Sequence, residues 1–131
     1  MPTQGEVPLL ADRPLTVEAM KGDVHTAIIV SNQDGMVIFV NAPFERLFGW
    51  PAEDIVGQPL LRVIPARFRD AHNLGFARFV TSGHPTLMNR PLALQALHRD
   101  GSEFAAEHYL IAERSPQGWV FAASIRPISA R

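Results

Sequence analysis

The chain contains no cysteine in 131 residues, which removes disulfides, thiolate metal centres, cysteine nucleophiles and flavin–cysteine photochemistry together. Neither sign of charge dominates, with 12 basic and 13 acidic residues scattered along the sequence and a net charge of −1. No polybasic surface follows, so direct nucleic-acid binding lacks its main driving force. No run approaches the roughly 18 apolar residues of a membrane span, and Met1–Arg13 lacks the basic start and apolar centre of a signal peptide. These absences predict a soluble, cytoplasmic domain with no membrane partner. There is no internal repeat, glycine-rich phosphate loop, His-Glu-x-x-His or nucleophile elbow. His98-Arg99-Asp100 matches a kinase triplet only superficially, because it runs straight into Gly101 and the chain is too short for a kinase.

The chain does hold enough apolar residues, 47% of 131, for one real core, since single cores take roughly 100–150 residues. Residues 1–14 mix proline, glycine and polar groups without periodicity and predict a flexible leader. A short flanking helix is expected over 15–23, and a single domain over 24–128. Thr26–Asn32 and Met36–Asn41 are β-rich runs joined at Asp34-Gly35, which predicts a hairpin. Helical spacing follows from Ala42 to about Val80, cut by Gly49, Pro51, Gly57, Pro59 and Pro65 into short pieces and one longer helix over Ala66–Val80. Three strands are expected at Pro91–Arg99, Ser102–Glu113 and Gly118–Pro127, with turns at Asp100-Gly101 and Ser115–Gly118. The expected fold is therefore α+β: a five-stranded antiparallel sheet with the helices as a crossover cupped over one face.

Within this frame, Asp34-Gly-Met-Val-Ile-Phe-Val-Asn41-Ala-Pro-Phe-Glu-Arg-Leu-Phe-Gly49-Trp-Pro-Ala-Glu-Asp-Ile-Val-Gly57 and the later Arg99-Asp-Gly-Ser-Glu-Phe104 resemble the landmarks of a PAS domain. Elementary chemistry explains part of the pattern. Asn41 ends a strand and can cap the next helix. Gly49 and Gly57 suit left-handed helix ends. Phe44, Leu47 and Phe48 form an apolar stripe that docks the first crossover helix. The resemblance implies a non-enzymatic sensory or interaction module of a regulatory protein, serving transcription or two-component signalling. It further implies a homodimer formed through the N-terminal helix and the outer sheet face, an effector left unspecified, and either a small-molecule cavity or a filled core.

Two histidines stand out. On the expected long helix, Phe68, His72, Gly75, Phe76 and Phe79 share one face, which places an imidazole among phenylalanines. Its nitrogens must meet a backbone carbonyl, a water or a metal. Arg69–Phe79 resembles the helix bearing the proximal histidine of haem-binding PAS oxygen sensors. That likeness implies haem as the cofactor, with His72 as an axial iron ligand, Arg78 at a propionate, and Phe68, Phe76, Phe79, Leu87, Met88, Leu92 and Leu110 around the ring. Leu92 occupies the position where such sensors carry a distal arginine, with Arg90 two residues earlier. Strand alternation turns Glu103, Glu107 and Glu113 to one face, and Phe104, Ala106, His108, Leu110 and Ala112 to the other. His108 would thus face His72 across a hollow, as a second axial ligand, a hydrogen-bond partner for an organic ligand, or a histidine satisfied by the backbone. The same alternation leaves Tyr109 and Ile111 on the outer face as a pairing surface.

Overall fold

A computed structural model describes residues 16–82 and 91–128. The leader at 1–14 lies outside the described residues. The chain builds helix α1 (Val17–Lys21), strands β1 (Ala27–Asn32) and β2 (Val37–Val40), helices α2 (Ala42–Phe48) and α3 (Ala52–Ile55), 3-10 turns at Leu60–Val63 and Ala66–Phe68, and helix α4 (Arg69–Ser82). Strands β3 (Pro91–Leu97), β4 (Glu103–Ser115) and β5 (Gly118–Pro127) complete it. The strands form one sheet in the order β2-β1-β5-β4-β3, with every strand pairing antiparallel. The crossover inferred from the sequence therefore exists: the hairpin β1–β2 and the meander β3–β4–β5 meet where β1 pairs with β5.

Local chemistry sets the turns. Gly35 takes φ 79° in the β1–β2 turn, and the Asn32 Oδ1 accepts from the Asp34 and Met36 amides at 3.0 and 3.1 Å. Asn41 does more than cap α2. Its Oδ1 accepts from Phe44 N at 3.0 Å and Ile28 N at 2.9 Å, while its Nδ2 donates to the Asp23 and Thr26 carbonyls at 3.0 and 2.8 Å. One side chain thereby fastens the start of α2 to the start of β1.

Two apolar layers sandwich the sheet. On the cupped inner face, Phe44, Phe48 and Ile55 are fully buried against Ile29, Val40, Ala106 and Ile125. The Phe44 and Phe48 rings stack with centroids 4.3 Å apart, and Phe104 meets Phe48 edge-on at 5.2 Å. Each such side chain contributes roughly 1.5–3 kcal/mol by leaving water. On the outer face, Val17 and Met20 of α1 pack over Ile28, Val30, Tyr109, Ile111 and Ala122. Here the expectation of an exposed pairing surface is corrected. Tyr109 and Ile111 are only 5% and 2% exposed, because α1 of the same chain covers them. The Glu113 carboxylate anchors that helix by accepting from Val17 N at 2.9 Å, so this outer-face carboxylate is not simply solvated. A homodimer using this part of the outer face would have to displace α1.

Candidate functional site

The cupped face of β3 and β4 carries the polar group best placed to meet a ligand. In β4, Phe104, Ala106 and Leu110 belong to the inner layer, and His108 lies between them in the same alternation. Its cross-strand neighbours are Leu92 of β3 and Ile125 of β5. His108 Nδ1 lies 3.1 Å from the Ala106 carbonyl oxygen. A carbonyl can only accept, so Nδ1 carries the hydrogen and Nε2 keeps its lone pair for another partner. Burial pushes the His108 pKa below its ordinary value, partly opposed by this backbone bond. The ring is a neutral acceptor set in an apolar wall.

The neighbouring wall is incompletely covered. Leu92 is half-buried, and Leu94, which shares its face and stands opposite Ala106, is 43% exposed. The phenylalanine cluster fills the inner face from β1 across to Phe104 of β4 and Ala96 of β3, and Leu94 at the β3 edge stands exposed beside it.

His72 sits in the second turn of α4, half-buried. Burial lowers its pKa, and a hydrogen bond with the Asn73 side chain works in the opposite direction. Phe68 departs from expectation. It lies in the 3-10 turn before α4, is 42% exposed, and its ring is met by the Arg67 guanidinium at 4.6 Å, so it does not line an inner wall. Phe68 belongs to this separate turn, before the first residue of α4, so the helical count from His72 does not fix where it points. Leu110 and Leu92 share the His108 face. The expectations for Leu87 and Met88 lie outside the described residues, and those for Phe76, Arg78 and Phe79 outside the described side chains.

Among the described residues, no group of three or more histidines and carboxylates converges as a metal-ligand set. Haem iron makes a smaller demand, one or two imidazoles, and a pinned Nδ1–H with an open Nε2 fits that role.

A separate cleft of about 510 Å³ opens between α2 and the edge formed by the start of β1 and the end of β5. It was not foreseen from the sequence, because its walls are brought together only by the tertiary fold. Among the described residues no helix is long and apolar enough to cross a membrane.

Comparisons with known proteins bear on the whole arrangement. The chain is 35% identical over 106 residues to an uncharacterized protein of Azorhizobium caulinodans, covering 80% of this chain and 14% of that protein. It is 28% identical over 102 residues to the sensor protein FixL of Bradyrhizobium diazoefficiens, covering 76% of this chain and 20% of that one. The chain thus spans a small part of the length of the curated relatives it matches. Among solved structures, a PAS domain from Colwellia psychrerythraea superposes with a TM-score of 0.68 at 19% identity, over 96% of this chain and 99% of that one. A PAS domain from a two-component sensor histidine kinase gives 0.64 at 14% identity, over 95% and 100%. The family model described as the PAS fold matches residues 15–121, and the chain belongs to the PAS family.

Proposed function

We propose that this sensory domain signals by holding a small apolar ligand against the inner face of β3 and β4, anchored by Nε2 of His108. The observation that carries this reading is the His108 geometry: one ring nitrogen is committed to the Ala106 carbonyl, and burial keeps the ring neutral. The half-open wall of Leu92 and Leu94 supplies the apolar surface beside it. Haem is the ligand that the two histidines favour, with His108 and His72 as candidate axial imidazoles. Bound haem would supply an iron centre responsive to gas or redox state.

The role is binding rather than catalysis. A histidine–carboxylate pair for acid–base chemistry would need a carboxylate on the inner face, and the β4 alternation turns Glu107 and Glu113 to the opposite one. The test is titration of the full chain with haemin. A Soret band that shifts in His108→Ala and in His72→Ala is expected. Unchanged absorption would remove haem, and a band indifferent to His108→Ala would remove the anchor.

A second reading is an interaction module with a filled core, favoured by the Phe44–Phe48–Phe104 cluster that already occupies much of the inner layer. It predicts a dimer by solution mass with or without added ligand, and a strict monomer would rule against it.

A further inference from the structure

The α2–β1–β5 cleft combines an apolar floor with a cationic rim. Pro43 and Leu47 of α2 and Pro127 of β5 give the accessible floor over the buried Ile125, Arg46 and Arg126 stand at the rim beside His25, and no acidic residue lines the cleft. The nearest carboxylate on the β1 side, Asp23, is occupied by the amides of His25 and Thr26 at 2.7 and 2.9 Å. Arg126 stands opposite Glu107 in the β4–β5 register, whereas among the described residues no carboxylate pairs with Arg46. The walls are pre-formed. Asn41 ties the segment before β1 to the start of α2 through its four hydrogen bonds, and the floor is continuous because Ala27 pairs with Ile125.

We infer that this cleft binds a small amphipathic carboxylate, its head held by the guanidinium of Arg46 and its apolar body laid over Pro43, Leu47 and Pro127. The volume, about 510 Å³, lies within the roughly 300–1,000 Å³ usual for small-molecule sites. A guanidinium presents its donors in a planar fork that a carboxylate matches in two bonds. The rim excludes cations by charge, and the floor excludes ions without an apolar body, because burying that surface is what offsets the loss of head-group hydration. The cleft flanks the residues that lead into β1 and those that end β5, so a bound molecule would bear on both ends of the sheet at once.

The test uses the full chain and amide-resolved NMR, titrated with octanoate, octanol and acetate in parallel. Octanoate should shift the amides of Thr26, Leu47 and Ile125 and saturate. Octanol and acetate should each bind at least about tenfold more weakly, one lacking the head and the other the body. Arg46→Gln should weaken octanoate about three- to tenfold, as expected for a partly exposed ion pair, and Arg46→Lys should restore part of the loss. The Arg46 side chain is exposed and forms no hydrogen bond or ion pair among the described residues, so an unshifted spectrum elsewhere is expected of the variant. Equal binding of octanol and octanoate, or no effect of Arg46→Gln, would overturn the assignment. So would shifts confined to Ala106, His108 and Leu110, which would place the ligand on the inner face instead. Haemin binding at His108 does not involve Arg46, so failure here and failure of the proposed haem site are separately readable.

Discussion

At the scale of single residues, two glycines in the same backbone region separate conformational cost from steric cost. Gly35 and Gly49 have φ of 79° and 77°. A Cβ on Gly35 meets nothing within 4 Å, whereas one on Gly49 would collide with the His98 ring. Gly35→Ala should therefore cost only the left-handed penalty, about 1–2 kcal/mol, and Gly49→Ala distinctly more. Urea unfolding checks this, and His98→Ala added to Gly49→Ala should recover the excess but not the shared part. Asn41 makes a sharper case. Aspartate is as good a helix cap as asparagine, so capping alone predicts that Asn41→Asp is neutral. The two donors of Nδ2 to the Asp23 and Thr26 carbonyls would be replaced by an acceptor facing acceptors. The expected loss is about 2–3 kcal/mol in the same assay, and a neutral result would show that the cap dominates. The capping role of Asn41 was legible in the sequence. Its bonds to residues 23, 26 and 28 were not, because they cross from helix to strand.

Among the elements, the strands were read correctly to within about two residues because alternation and the Asp-Gly and Ser-Pro-Gln-Gly turns mark them locally. The covering of their faces was not equally visible. Alternation states that Tyr109 and Ile111 face away from His108, but not what lies over them, and α1 is only five residues long. The signal was present in the spacing of Val17 and Met20, which puts both on one side of that helix. Likewise Phe68 was counted into a helix expected from Ala66, whereas α4 begins only at Arg69, after a 3-10 turn that follows Pro65. If α1 is a cover, weakening it should uncover a sticky strip. Met20 is fully buried beneath it, so Met20→Ala should cost about 2–5 kcal/mol. With part of that loss confined to α1, light scattering should find concentration-dependent association beyond that of the parent chain at the same protein concentration. Destabilisation with no change in mass would mean that the strip behind α1 is not a pairing surface.

For the molecule as a whole, the shifted groups predict how stability follows pH. Burial lowers the pKa of both His72 and His108 from the ordinary value of 6.5. Once unfolded, each histidine takes up a proton near that value, while the folded chain resists until a lower pH. Between the two values the unfolded state holds more protons, so stability rises with pH through this window and falls on acidification below about 6.5. Asp23 acts in a different range. Burial would raise its pKa, but hydrogen bonds from the His25 and Thr26 amides and the Thr26 hydroxyl, together with the His25 charge, outweigh this and leave it below 3.8. Its contribution is therefore present above 3.8 and disappears as pH falls through the lower folded value. The melting temperature should be level above about pH 7, decline in a first step from about 6.5, and decline again in a second step in stronger acid. His108→Leu, whose side chain suits the Leu92 and Ile125 neighbours, should shrink the first step and leave the second unchanged. A first step of full size in that variant would mean that folding does not shift the His108 pKa, and burial in the apolar wall would then not be what keeps its ring neutral.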